Sequence, residues 1–280
     1  MSPRYAIEIQ TEECGCGLEG LLQSRSADLV GIVNGIDYDQ WDPARDPYLP
    51  EPFDASRVGG KVAAKRTLLG EVGWPIDDTS LRRPLVGLIS RMVDQKGLDL
   101  LVELGDELPR LGARFVVLGT GEQKYEEFWR ALAVKSPDCV AVTIGFDEGM
   151  AHRIEGGADL FLMPSRFEPC GLNQMYSQRY GTVPVVRATG GLRDTVRNFD
   201  PTTGGGTGFT FEDYSSPALL GTLRWALRTY EDRAAWRRLQ IAGMQQDFSW
   251  DRSARQYVSL YERAGLGGSA HTDASRHPAT

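Results

Sequence analysis

From residue 84 onward the chain alternates short apolar runs with amphipathic stretches, and that rhythm limits the possible folds more than any other feature. Leu85, Val86, Leu88 and Ile89 form the first run, and Leu98, Leu101, Leu104, Leu108 and Leu111 then fall at helical spacing across 97–111. Apolar runs return at 114–118, 139–144, 159–163 and 183–186, with helical stretches over 124–134 and 148–155, after Gly171 and after Gly190. Runs this short, bounded by turn residues, read as strands buried on both faces. Strands that alternate with helices build βαβ units with right-handed crossovers, so the expected fold is α/β, a parallel sheet with helices on both faces. Ligands of such sheets bind beyond the carboxyl ends of the strands. The informative segments are therefore those that follow Ile89, Leu118, Ile144, Met163 and Val186.

Residues 1–80 lack this rhythm. Gly15, Gly17 and Gly20, then Pro43, Pro47, Pro50 and Pro52, punctuate them as loops. One helix is expected over 57–69, with Val58, Val62, Leu68 and Leu69 on its apolar side. Helices over 217–230, 233–246 and 252–264 close the chain, and the small, polar residues 265–280 read as a disordered tail. The expected organisation is an irregular lead-in (1–80), one α/β domain with C-terminal helices (81–264) and the tail (265–280). A formal net charge of -7 argues against a general nucleic-acid binder. The sequence has no apolar run of membrane-spanning length, and residues 1–5 have no signal-peptide core, so no membrane partner and a cytoplasmic location are expected. Cys14, Cys16, Cys139 and Cys170 do not form a disulfide framework. Cys14-Gly15-Cys16 lacks a second ligand pair, so no metal site is expected.

Three strand-to-helix loops carry candidate chemistry. The first, 90–97, sets Arg91 and Lys96 before a helix, an arrangement that suits a diphosphate. Taken alone, the pair is more simply two solvated surface cations. The second, 164–174, places Glu168 in the turn after a strand, followed by Cys170 and Gly171. The amides of Leu172 and Asn173 open the next helix. Glu168 reads equally as a ligand for sugar hydroxyls and as a capping carboxylate. The third, 187–192, contains Gly190 and Gly191, where the backbone can approach a ligand closely.

Three other features read as structural. Gly119-Thr120-Gly121 has neither the third glycine nor the ribose-binding acid of a dinucleotide site. Asp37 and Asp39 lie in a Pro-rich stretch and read as turn chemistry. His152 has no paired nucleophile and reads as a surface or packing residue.

Taken together, in this order and spacing, the loops resemble the bacterial ADP-glucose glycogen synthase and plant starch synthase family. The resemblance runs from about Ser2 to Ala264. It is most specific from Pro164 through Leu172, from Tyr180 to Pro184 and from Thr189 to Leu192. Residues 31–37 with Trp41-Asp42-Pro43, and Ser90-Arg91 with Gln95-Lys96-Gly97, are further signatures.

The resemblance implies the C-terminal, Rossmann-like domain of a GT-B glycosyltransferase. The implied reaction is transfer of glucose from ADP-glucose to the non-reducing end of an α-1,4-glucan, with retention and without a metal or other cofactor. Arg91 and Lys96 would hold the diphosphate, and Glu168 would contact the transferred glucose. Cys170, Gly171, Leu172, Asn173, Gly190 and Gly191 would line the donor pocket, and Ile144, Gly145 and Phe146 would flank adenine. Phe146 stands where the family often has tyrosine, and it keeps the stacking face. Cys14 and Cys16 also depart from the family's usual residues. The Lys-x-Gly-Gly-Leu loop of the family's N-terminal domain does not occur in these residues, and Ser2-Pro3-Arg4-Tyr5 resembles the join between the two domains. The expectation is that Met1 stands for a valine codon read as a start. The chain alone is then expected to be inactive until it meets a separate N-terminal synthase domain. The alternative is a non-catalytic module that binds an ADP-sugar or a glucan.

Overall fold

The computed structural model describes residues 1–268. Six parallel strands form one sheet: β1 (Leu85–Ile89), β2 (Arg114–Gly119), β3 (Val140–Ile144), β4 (Leu160–Met163), β5 (Val183–Arg187) and β6 (Phe209–Phe211). Their order is β3-β2-β1-β4-β5-β6, so the chain winds outward from β1 and then returns to place β4 on its other side. The β1/β4 boundary is therefore the topological switch point, where such sheets open a crevice at the carboxyl edge.

Fourteen α-helices surround the sheet among the described residues. They are α1 (Pro3–Glu8), α2 (Glu12–Gly15), α3 (Glu19–Ser24), α4 (Lys61–Glu71), α5 (Asp78–Arg82), α6 (Leu98–Leu104), α7 (Glu107–Arg110), α8 (Gln123–Lys135), α9 (Glu148–Gly157), α10 (Asn173–Arg179), α11 (Gly190–Thr195), α12 (Ser216–Glu231), α13 (Arg233–Met244) and α14 (Trp250–Gly268). None is long and apolar enough to cross a membrane.

The strand side chains divide with period two, as the pleat requires. Val86, Leu88, Phe115, Val117, Leu160, Leu162, Val183 and Val185 join one core with residues of α6, α8, α12 and α13. Leu85, Val116, Leu118, Phe161, Met163 and Val186 join the other with residues of α4, α9 and α11. Gly87 is what lets α9 press onto β1, because a Cβ there would stand 2.6 Å from the Ile154 side chain.

Four expectations change. The lead-in is not wholly irregular, since α1 to α3 form there; Ser2 caps α1 by accepting from the Tyr5 amide at 3.2 Å. The expected helix over 97–111 breaks at Gly105, whose φ of 44° ends α6 before α7 begins. On α4 the buried stripe is Lys61, Ala64, Lys65, Leu68 and Leu69, while Val62, expected on the apolar side, is half exposed. The lysines are tolerated inside because their ammonium groups are bonded. Lys61 donates to the carbonyls of Glu155, Gly156 and Tyr180, which close α9 and α10, and Lys65 pairs with Asp159. Finally, α14 continues to Gly268, so residues 265–268 are helical, and the rest of the expected tail lies outside the described residues. Strand β6 was not foreseen. Three residues that follow Gly204, Gly205, Gly206 and Gly208 show no alternation to read.

Candidate functional site

The loops after β1 and β4 meet at the switch point. Gly97 makes the meeting possible. Its φ is 71°, and a Cβ there would lie 1.9 Å from the Pro164 carbonyl oxygen. Two hydrogen bonds then zip the loops together. The Arg166 amide donates to the Gln95 carbonyl at 2.9 Å, and the Gln95 side-chain amide donates to the Phe167 carbonyl at 3.1 Å. Lys96 ends a 3-10 turn, Asp94–Lys96, and Glu168 sits in the turn before α10. Their side chains meet at 2.6 Å, with Lys96 18% and Glu168 7% exposed. The Ser165 hydroxyl also donates to the same Glu168 oxygen, at 3.2 Å. At so little exposure a lone carboxylate would carry a heavy desolvation cost, and the ammonium and hydroxyl offset that cost and fix its position.

A cavity of about 190 Å³ opens beside this pair, lined in part by Ser90, Arg91, Lys96, Ser165 and Asn173. Lys96 has three N–H donors and Glu168 occupies one, so two remain for an anion in the cavity. Arg91 lies exposed at the rim, held by one hydrogen bond from its guanidinium to Gln95 Oε1 at 3.2 Å. The Asn173 side chain is engaged, donating to the Ile89 carbonyl at 2.8 Å and tying the start of α10 to the end of β1. Leu172, the residue before α10, is 38% exposed, and Gly171 has a φ of 72° that no other residue type adopts easily.

Gly190 and Gly191 serve this turn from behind. A Cβ on Gly190 would stand 1.9 Å from the Glu168 carbonyl oxygen, and one on Gly191 would stand 1.9 Å from that of Cys170. The Gly191 amide donates to the Glu168 carbonyl at 2.9 Å. The Gly190 amide and the Thr189 hydroxyl donate to the Glu8 carboxylate at 3.0 Å. Both amides are thus engaged within the chain, and the close approach of the two glycines fixes the position of Glu168. The Cys170 sulfur accepts from the Asn34 amide at 3.3 Å, and burial pushes its thiol pKa up.

Ile144, Gly145 and Phe146 stand apart. Ile144 ends the edge strand β3 and Gly145 and Phe146 follow it, two strands from β1, which at about 4.8 Å per strand is roughly 10 Å along the rim. The Phe146 side chain is 90% exposed and offers an open aromatic face.

Glu8, Ser165 and Gln95 are the neighbours of the candidate residues that sequence reasoning missed. Gln95 lies inside a recognised loop, and Ser165 three residues before Glu168 was a readable signal. Glu8, about 180 residues from its partner, gave none. The remaining features are structural. Gly119 and Gly121 let their loop pack on the one after β1, since Cβ atoms there would meet the Ser90 and Met92 carbonyl oxygens at 1.9 and 2.4 Å. Asp37 accepts from the Asp39 amide in a turn. His152 is buried, bonded to Asp46 at 2.7 Å and stacked on Trp41 with ring centroids 3.8 Å apart. All four cysteines are free.

Residues 77–240 match the glycosyl transferases group 1 family. The chain is 51% identical over 264 residues to the glycogen synthase of Koribacter versatilis, across 94% of this chain and 54% of that protein. It is 50% identical over 265 residues to that of Thermotoga petrophila, with the same coverage of 94% and 54%. It also resembles the solved catalytic domain of starch synthase IV from Arabidopsis thaliana, bound to ADP and acarbose. That match has a TM-score of 0.87 and 40% identity, over 94% of this chain and 54% of that one. The chain therefore spans about half the length of the curated relatives it matches. From a parallel sheet with its charged crevice at the switch point, and from a family match that spans all six of its strands, we conclude that the chain belongs to the glycosyl transferases group 1, with the fold of the C-terminal domain of a GT-B enzyme.

Proposed function

We propose that this chain is the donor-binding half of a glycogen (starch) synthase, which transfers glucose from ADP-glucose to the non-reducing end of an α-1,4-glucan with retention of configuration. The observation that carries the reading is the 2.6 Å contact of Lys96 with Glu168 on the rim of the switch-point cavity that Arg91 also lines. In this reading the diphosphate lies against Arg91 and the two spare donors of Lys96. As the bond from the glucose anomeric carbon to ADP breaks, negative charge grows on the leaving phosphate oxygen, and these two cations stabilise it without reorganising. Glu168 is an acceptor for the hydroxyls of the transferred glucose. Its position is set by Lys96, Ser165 and the Gly190–Gly191 turn. Phe146 supplies a stacking face for adenine at the β3 end of the rim. The cations do the work of charge neutralisation, so the reading needs no metal. The 54% coverage of the starch synthase IV chain, whose structure holds ADP and acarbose, supports a second half that supplies the acceptor site.

Calorimetry with ADP tests donor binding. Transfer of labelled glucose from ADP-glucose to glycogen, by the chain alone and with an N-terminal synthase half supplied, tests the reaction. The expected result is ADP binding that weakens in Lys96→Ala, and turnover that needs both halves. ADP binding with no transfer by the reconstituted pair would instead leave a non-catalytic binding module. UDP-glucose serving as well as ADP-glucose would remove the donor assignment.

A further inference from the structure

The paired glycines that back the Glu168 turn open α11, and α11 is itself held by α1. Each of these helices has six residues, too few to be stable in water alone. They stand by capping each other. Glu8, the last residue of α1, accepts from the Gly190 amide and the Thr189 hydroxyl at 3.0 Å, which serves the first turn of α11. Asp194, near the end of α11, accepts from the Arg4 amide at 2.8 Å, which serves the first turn of α1. Such reciprocity places the two helices side by side in opposite directions. The Glu8 side chain is 13% exposed, and Arg4 anchors it through Nε at 2.9 Å.

Both ends of α1 reach the Glu168 turn. Ser2, just before the helix, is fully buried, and its amide donates at 2.8 Å to the carbonyl of Pro169, the residue after Glu168. At the other end Glu8 holds Gly190. That glycine is pressed between the turn and α1, since a Cβ there would stand 1.9 Å from the Glu168 carbonyl oxygen and 3.4 Å from the Tyr5 ring. The next residue closes the link, because the Gly191 amide donates to the Glu168 carbonyl at 2.9 Å. Glu8 therefore reaches Glu168 through Gly190 and Gly191, and it does not itself line the switch-point cavity. Arg91 and Lys96 come instead from the loop after β1. The turn that carries Glu168 and the loop that carries the two cations are thus fixed by different parts of the chain.

We propose that Glu8 is a positioning residue for Glu168: it locks α11 against the Glu168 turn and so sets the carboxylate that takes the glucose of the donor. This role rests on the donor-binding function proposed above. Hydrogen exchange at single amides tests the lock without any ligand. In Glu8→Ala the Gly191 amide, bonded to the Glu168 carbonyl, should exchange roughly tenfold faster, while the Phe115 amide, bonded to the Cys139 carbonyl in the sheet, should keep its rate. Calorimetry on the full chain tests the consequence. ADP-glucose affinity should fall roughly tenfold in Glu8→Ala and ADP affinity less than about threefold, because ADP has no glucose for Glu168 to hold. Glu8→Gln keeps an acceptor oxygen for Gly190 and should restore most of the exchange protection and of the ADP-glucose affinity. A merely structural glutamate would speed exchange at Phe115 as well, and would weaken ADP and ADP-glucose alike. Either result overturns the proposal, as does an unchanged rate at Gly191. A wild-type chain that binds neither nucleotide would remove the donor-binding function, and the exchange rates would still decide whether Glu8 locks the turn.

Discussion

Strand β4 has a lysine–carboxylate pair at each of its ends, and the two pairs have the same contact distance. At the amino end Lys65 meets Asp159 at 2.6 Å, with the side chains 6% and 12% exposed. At the carboxyl end Lys96 meets Glu168, also at 2.6 Å, at 18% and 7%. Their surroundings differ. Asp159 also accepts from the Leu85 amide at 2.9 Å, and Lys65 also donates to the Arg83 carbonyl at 2.7 Å, so the first pair stitches β4 to the start of β1 with its bonding capacity largely spent. The second pair keeps spare donors beside a cavity and has Arg91 at its rim. Identical ion-pair chemistry thus either closes a structural joint or leaves donors open to a cavity, according to what the remaining valences face.

Substitutions can break that contrast, beginning with the largest expected effect. Lys65→Ala leaves Asp159 buried and unpaired, and should lower unfolding free energy by about 3–5 kcal/mol in urea titration. A loss as small as that of a surface substitution would show that the amino-edge pair does not hold the sheet. Lys96→Ala should shift the loss from folding to binding: ADP affinity should fall roughly 10- to 100-fold by calorimetry, the equivalent of about 1.5–3 kcal/mol. If ADP affinity is untouched while stability collapses, the two pairs are of one kind after all. Arg91→Ala removes an exposed cation, so stability should stay within about 0.5 kcal/mol while ADP binding weakens roughly tenfold.

The smallest effect concerns Glu155, on α9 behind the amino edge. It is fully buried, neither carboxyl oxygen has a partner, and burial pushes its pKa well above the usual carboxylate value of 4.5. A folded-state pKa raised above the unfolded one means that the folded protein holds its proton longer. Stability should therefore fall as pH rises past the unfolded value. Lys61 has the opposite slope, because its pKa is lowered from 10.5 to about 7, but only between those two values. Melting temperatures at about pH 4.5 and pH 6.5 therefore isolate Glu155. Glu155→Gln should raise Tm by a few degrees at the higher pH and scarcely change it at the lower one. Equal shifts at both would mean that the carboxyl's ionisation is not what costs stability.

The amino-acid sequence by itself determined the five principal strands, the helices between them and the sheet edge that gathers the loops after those strands. Those features rest on local periodicity, and the apolar runs from Leu85 to Val186 state it without ambiguity. It also placed Arg91, Lys96, Glu168 and the paired glycines in strand-to-helix turns, which any parallel sheet presents at one rim. Only the tertiary structure decided which side chains meet. The placement of β4 beside β1 brings Lys96 to Glu168 across 72 residues of chain, and α1 delivers Glu8 to Gly190 across 182. The same folding turned Lys61 and Lys65 inward on a helix whose local pattern pointed Val62 there instead. Contacts of this kind depend on where strands stack and which carbonyls and carboxylates lie unpaired inside, and no window of neighbouring residues contains that information.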